Sequence, residues 1–308
     1  MTETNSTQLK HAILGAGGVG GLIGACLAHA GARVTVVVRK EAIATYPRQL
    51  RLESVFGNFS VDVSIAAEVP EVDVVWITVK ATQLDAALGA VHDFRGIHFR
   101  GIQAIVPLLN GIDHIALLRS KYGAERVVPA TIAVESERVE PGHIIHRSSF
   151  ARLNVLSTGK LLLGDTIQEF QRLGFECRFF DSEATLMWSK LVFLAAFALT
   201  TTAADKTTGE ILSDPVWREL GLACIREACA VAVAEGATLD PEQVIAGVLK
   251  MPGNMRSSMQ KDVEQHKTPE LDAIAGPILR GAKRHGIEVP ATLKLVAAVK
   301  ERADLAAA

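Results

Sequence analysis

A parallel α/β domain followed by an all-helical domain is the architecture this sequence predicts, and three observations predict it. In the first half, apolar runs dense in β-branched residues alternate with helical stretches, RVTVVV at Arg33–Val38 and VDVVWITV at Val72–Val79 being the clearest. Such runs mark strands covered on both faces. After Asp181 the texture turns to helix, punctuated by Asp-Pro and Thr-Pro starts. Lastly, 308 residues exceed one typical core and suit two. Two domains are therefore expected, over residues 1–180 and 181–308.

The elements follow in order. His11–Leu14 is a short strand, Leu22–Ala30 has helical spacing, and Arg33–Val38, Val72–Val79, Gln103–Leu108 and Arg126–Val134 supply further strands. Pro141–Gly164 (GHIIHRSS, ARLNVLS, KLLLG) reads as short strands and turns that extend the sheet in antiparallel fashion. Gln168–Leu173 is helical and Glu176–Phe180 is a last strand. Asp181 or Ser182 then caps a helix running to about Thr201, and Ser213-Asp214-Pro215 opens another that reaches Gly236. Asp240-Pro241 and Thr268-Pro269 repeat the device; Pro277 kinks the last of these helices, and Gly286 closes it before Val289-Pro290.

Composition narrows the partners. With 49% hydrophobic and 21% charged residues the chain packs throughout, and disorder is expected only at the polar Met1–Lys10 and the featureless Ala306–Ala308. A net charge of -2 and the lack of a Lys/Arg cluster argue against a nucleic-acid partner. Cys26, Cys177, Cys224 and Cys229 show neither CxxC spacing nor accompanying His pairs, so free buried thiols are expected, and no metal. The start lacks the apolar core of a signal peptide. The longest uncharged apolar stretch, Leu191–Leu199, falls short of the roughly 20 residues that cross a bilayer. A cytoplasmic protein with no membrane partner is the expectation.

Gly15-Ala16-Gly17-Gly18-Val19-Gly20 fits GxGxxG between an apolar strand and a helix. The first glycine permits the tight turn, the second lets a pyrophosphate approach the backbone, and the third lets helix and strand pack closely. This is the signature of a Rossmann-type dinucleotide-binding domain, with Gly15, Gly17, Gly18, Val19 and Gly20 as its phosphate loop. In NAD-preferring folds an acidic residue ends the second strand. Here Arg39-Lys40 follows it. A guanidinium can grip a 2′-phosphate that a carboxylate would repel, so NADPH/NADP is the expected cofactor.

Four residues are candidates for chemistry. Lys190 lies in TLMWSKLVFLAAFALTTT, a helix apolar on nearly every face. Either its ammonium snorkels to water, or partial burial lowers its pKa and fits it to act as a general acid. Asn110-Gly111 follows the apolar run Ile105–Leu109 and is either a plain turn or a ligand contact at a strand's carboxyl end. Taken alone, Glu270 is a first-turn acid of the Thr268-Pro269 helix, and Ser257-Ser258 is a helix cap.

The order of short motifs is more specific than any one of them. From the glycine loop through TVKATQ (Thr78–Gln83), LLNG, WSKL, RSSMQKD and TPELD to LRGAKRHGIEVPAT, the chain closely resembles the ketopantoate reductase family over nearly its whole length, from Ala12 to about Lys300. The resemblance implies a Rossmann domain joined to a helical domain, with a small 2-keto acid bound in a cleft between them. It implies Lys190 as proton donor to the keto oxygen, and Glu270 as a catalytic residue that engages the substrate. It places Asn110 near the nicotinamide and substrate, and Ser258 on the substrate carboxylate. It assigns Lys80 and Gln83 to the cofactor. Reduction of 2-dehydropantoate to pantoate with NADPH, a step of pantothenate biosynthesis, is the activity implied, and a homodimer is compatible with a helical C-terminal domain of this type.

One departure stands out. The family's lysine helix usually continues Lys-x-x-x-Asn-x-x-x-Asn, whereas this chain has Leu194 and Ala198 at those positions. An apolar wall discriminates between hydroxylated and bare substrates far less sharply than paired amides do. A reductase of a less polar 2-keto acid is thus the competing expectation, and a non-catalytic NADPH-binding sensor on the same fold is the third.

Overall fold

The computed structural model describes residues 9–91 and 101–303. The disorder expected for the first eight residues and for Ala306–Ala308 lies outside that range; Lys10 instead opens the first strand.

In chain order the first half contains β1 (Lys10–Leu14), α1 (Gly18–His29), β2 (Arg33–Val37), β3 (Gln49–Ser54), β4 (Gly57–Asp62), β5 (Ser64–Ala66), β6 (Val74–Ile77), α2 (Leu84–Leu88), β7 (Ala104–Pro107) and α3 (His114–Tyr122). It continues with β8 (Ala130–Ala133), β9 (Ser136–Glu140), β10 (His143–His146), β11 (Arg152–Leu156), α4 (Lys160–Arg172) and β12 (Glu176–Phe180). The second half is helical: α5 (Glu183–Ala204), α6 (Thr208–Ser213), α7 (Pro215–Ala234), α8 (Pro241–Leu249), α9 (Ser258–Glu264), α10 (Leu271–His285) and α11 (Pro290–Arg302). A Rossmann-like domain is followed by a helical one.

The main sheet is parallel, in the order β5-β2-β1-β6-β7. Its strands read as unbroken apolar runs because each face has its own core. Ile13, Val34, Val36, Val74, Trp76 and Val106 point into one cluster with Leu22 and Ile23 of α1. Ala12, Leu14, Val37, Val75, Ile77 and Ile105 point into the other, with Leu84 and Leu88 of α2 and Leu118 of α3. From β1 the chain steps to β2 on one side and later to β6 on the other. The carboxyl ends of β1 and β6 thus flank the topological switch point where open α/β sheets take ligands.

Three expectations need correction. Pro141–Gly164 does not extend that sheet: β9 and β10 join the β3–β4 hairpin in a four-stranded sheet, and β11 joins β8 and β12 in a three-stranded one. The antiparallel expectation holds only in part, since β10 pairs β3 in parallel and β11 pairs β12 in parallel. KLLLG is the first turn of α4, whose Leu163, Thr166, Ile167 and Phe170 are buried at the i, i+3, i+4, i+7 spacing of a helix.

By internal contacts the chain divides into one unit of residues 1–109 and 114–181 and a second of 110–113 and 182–308. In the second, α5 carries Leu191, Val192, Ala195, Ala196 and Leu199 into a core shared with α7, α10 and α11. By length and hydropathy α5 could cross a membrane; instead 61% of its apolar window is buried inside the protein. Its end is polar but satisfied, with Thr200 bonding back to the Ala196 carbonyl at 2.6 Å. Ser182 caps α5, Asp214 and Asp240 cap α7 and α8 with proline in the first turn, and Gly286 closes α10 at φ 65°. All four cysteines are free thiols, with Cys177 half-buried and the others buried.

Candidate active site

The glycine loop is built as its motif requires. Gly15 sits at φ +112°, and a Cβ there would lie 2.7 Å from the Val79 amide. A Cβ on Gly20 would meet the Gly15 carbonyl at 2.0 Å, so this glycine lets α1 start against the loop. Gly17 is the opposite case: nothing lies within 4 Å of where its Cβ would be, and as N-cap of α1 it offers no side chain to the first turn. The orphan N–H groups of that turn, Gly18 to Gly20, are therefore open to an anion, and an incoming phosphate can approach the backbone closely. These residues fit a dinucleotide pyrophosphate.

Neighbours from distant parts of the chain hold this loop. Thr78, just past β6, donates from Oγ1 to the Gly15 carbonyl at 2.7 Å. Ser136, opening β9, donates from Oγ to the Gly18 carbonyl at 2.9 Å, and Arg138 donates from Nη1 to the Ala16 carbonyl at 3.2 Å. No local pattern singles these three out.

The register of the sheet then sets the other cofactor candidates. Leu14 pairs with Val37 on one side and Ile77 on the other, so the segments after β2 and β6 both leave the sheet beside the glycine loop. Arg39 follows β2, is exposed, and makes no ion pair among the described residues. Lys80 is half-buried at the start of the 3-10 turn Ala81–Gln83 that follows β6, and Gln83 ends that turn, exposed.

The helical unit brings Lys190, Asn110 and Glu270 together. Lys190 sits two turns into α5, and its Nζ donates to Asn110 Oδ1 at 3.0 Å. Asn110 Nδ2 donates in turn to Glu270 Oε2 at 2.9 Å. An ammonium can only donate and a carboxylate can only accept, so the orientation of the amide between them is forced. Glu270 is the N-cap of α10 rather than a first-turn residue, and its buried carboxylate sits at the positive end of the helix.

Burial pulls the Lys190 pKa down from 10.5 to about 8, and the Glu270 charge opposes the fall. The residue is half-buried, and among the described residues its only hydrogen bond is the one to Asn110. Two of its three N–H bonds remain for another oxygen.

Delivery of Asn110 depends on the segment 110–113, which belongs with the helical unit although it follows β7. Gly111 is at φ +84°, and a Cβ there would lie 2.5 Å from the Ala273 carbonyl of α10. Two residues on, Asp113 pairs with Arg280 of α10, which also bonds Asp272 at 2.8 Å.

Beyond Lys190, the same face of α5 carries Leu194, half-buried, and Ala198, buried. Further along, Thr201 donates to Ser257 Oγ at 2.9 Å, and Ser257 accepts from the Gln260 amide as N-cap of α9. Ser258, next to it, is exposed, and among the described residues no bond joins it to the Lys190–Asn110–Glu270 set.

Comparison with known proteins decides the family. The ketopantoate reductase PanE/ApbA family matches residues 11–156, and its C-terminal counterpart matches 184–303. The chain belongs to the ketopantoate reductase family. As a ketopantoate reductase family member it is an oxidoreductase. It is 31% identical over 293 residues to an uncharacterized oxidoreductase, YkpB, of Bacillus subtilis, covering 92% of this chain and 95% of that one. It is also 31% identical over 294 residues to 2-dehydropantoate 2-reductase of Caulobacter vibrioides, covering 93% and 96%. A crystal structure of a PanE/ApbA family ketopantoate reductase from Ralstonia eutropha superposes with TM-score 0.82 at 27% identity, over 96% of this chain and 99% of that one. D-mandelate dehydrogenase, solved with NADH and anilino(oxo)acetate, shares the fold with TM-score 0.83 at 21% identity, over 96% and 99%.

Proposed function

We propose that this chain reduces a small 2-keto acid with NADPH, and that the acid is 2-dehydropantoate, reduced to pantoate. The observation that carries the reading is the Lys190 ammonium, with a pKa near 8, held by one of its three N–H bonds to Asn110. Reductase relatives named for this reaction support the choice of substrate.

When bound, the nicotinamide supplies a hydride to C2 of the keto acid. Lys190 hydrogen-bonds the keto oxygen with a free N–H, stabilises the negative charge that develops there, and donates the proton. Asn110 positions the ammonium and borders the nicotinamide and substrate. Glu270 holds the other end of Asn110, keeps Lys190 protonated, and engages the substrate. Ser258 is assigned to the substrate carboxylate on its match to the family motif. On the cofactor side, Gly15, Gly17, Gly18, Val19 and Gly20 would cradle the pyrophosphate, Arg39 would take the 2′-phosphate, Lys80 would lie near the adenosine phosphate, and Gln83 would also face the cofactor. The first domain thus binds NADPH and the second carries the chemistry.

Leu194 and Ala198 favour a second reading, in which the same machinery reduces a less polar 2-keto acid. Rates of NADPH oxidation with 2-dehydropantoate and with branched and aromatic 2-keto acids separate the two. The first reading expects 2-dehydropantoate to have the highest kcat/KM; a strong preference for an aromatic acid overturns it in favour of the second.

A further inference from the structure

We propose that Arg138 is a pyrophosphate-binding residue, gripping from β9 the diphosphate that the glycine loop cradles. This rests on the dinucleotide reading above. Three observations carry it.

The first is placement. Ser136 anchors the start of β9 to the loop through the bond from its hydroxyl to the Gly18 carbonyl. The contact is intimate, since a Cβ on Gly18 would come within 2.0 Å of the Ser136 carbonyl. Residues i and i+2 of a strand share a face, so Arg138 emerges on the same side as Ser136. There it donates from Nη1 to the Ala16 carbonyl at 3.2 Å, which sets its guanidinium beside the loop where the orphan N–H groups begin.

The second is charge. Arg138 is exposed and makes no ion pair among the described residues. The carboxylates on β9, and Glu53 on β3 beyond β10, are engaged elsewhere: Glu137 with Arg147 at 2.7 Å, Glu140 with His143 at 3.3 Å, and Glu53 with Arg51 and with His143 at 2.9 Å. A guanidinium tethered by the neutral Ala16 carbonyl, with the neutral Tyr46 hydroxyl beside it, keeps its full charge for an anion.

The third is donor geometry. A guanidinium has five N–H bonds in a planar fork, and the Ala16 carbonyl and the Tyr46 hydroxyl engage at most two of them. The remainder suit paired contact with phosphate oxygens while the loop amides approach from the helix side. Arg39, at the end of β2, addresses the ribose phosphate instead. The two arginines divide the cofactor between them.

The test measures dissociation constants by calorimetry for NADPH, NADH, ADP-ribose and adenosine 2′-monophosphate. Arg138→Gln is expected to weaken NADPH, NADH and ADP-ribose alike, by roughly tenfold, and to leave adenosine 2′-monophosphate, which has no diphosphate, unchanged. Arg138→Lys keeps the charge and one donor to Ala16, so a smaller loss on the same three ligands is expected even if the glutamine variant folds poorly. Unchanged affinities in both variants, or an equal loss on adenosine 2′-monophosphate, overturn the assignment and leave Arg138 as a tether for the loop. Wild-type protein that binds neither NADPH nor ADP-ribose overturns the cofactor reading itself, and this inference with it.

Discussion

Lys190 and Glu270 are coupled through opposite ends of a single amide, the ammonium donating to Asn110 Oδ1 and the carboxylate accepting from Asn110 Nδ2. The arrangement lets a carboxylate raise the pKa of a half-buried lysine without taking its N–H bonds. Glu270→Gln removes the charge that opposes desolvation, so the Lys190 pKa should fall further below 8. In the proposed mechanism reduction needs the protonated lysine, and the alkaline limb of the kcat profile should therefore move to lower pH by about one unit. A profile of kcat against pH for both proteins checks this.

The same burial has a cost in stability, and its sign is fixed. Lys190 has a folded pKa near 8, below its ordinary 10.5. Below pH 8 the folded state carries a charge that the unfolded chain solvates better. Wild-type stability should thus rise as pH goes from about 8 to 10.5. Lys190→Met fills the same space without the charge. Its melting temperature should exceed that of the wild type at pH 7, by a few degrees, and the advantage should be much smaller at pH 10. Thermal unfolding followed by circular dichroism at both pH values measures it.

Gly111→Ala tests how Asn110 is delivered. The substitution places a Cβ 2.5 Å from the Ala273 carbonyl at φ +84°, a conformation costing about 1–3 kcal/mol for a residue with a side chain. The segment must shift, and Asn110 with it. Turnover should fall by at least about tenfold and by more than NADPH affinity does, since the glycine loop lies in the other unit and only the Asn110 contact to the cofactor is disturbed. Stopped-flow turnover and a binding titration separate the two effects.

What the sequence made legible were features with local causes. Gly15 and Gly20 stand where a turn and a helix contact demand them, and Asp214-Pro215 and Asp240-Pro241 mark helix starts in a few residues. The rest required distant partners. The β3–β4 hairpin alternates Leu50, Leu52, Phe59 and Val61 with polar residues, but each run is too brief to stand out alone, and α6, of 6 residues, is too short to show a helical period. KLLLG has strand-like composition but belongs to a helix whose buried face only emerges over Leu163–Phe170. Ser136 reaches Gly18 across 118 residues, and Asn110 reaches Glu270 across 160. Such pairs leave no trace in either neighbourhood, and the resemblance of motif order, rather than spacing, is what linked Lys190 to Glu270.

Arg39 is the residue that should decide between the two nicotinamide cofactors. Arg39→Asp exchanges a guanidinium for a carboxylate that repels a 2′-phosphate and accepts from a 2′-hydroxyl. NADPH affinity should drop by tenfold or more, and NADH affinity should hold or improve. Titrations of intrinsic fluorescence with each cofactor measure the ratio; equal losses for both would show that Arg39 does not read the phosphate.

The most direct test is single-turnover oxidation of NADPH by wild type and Lys190→Ala with saturating 2-dehydropantoate. A general acid in this position is worth about 10²–10⁴ in rate. The expected result is a loss of that size in Lys190→Ala with NADPH binding intact. A variant that turns over at the wild-type rate would contradict the role of Lys190 and, with it, the proposed mechanism.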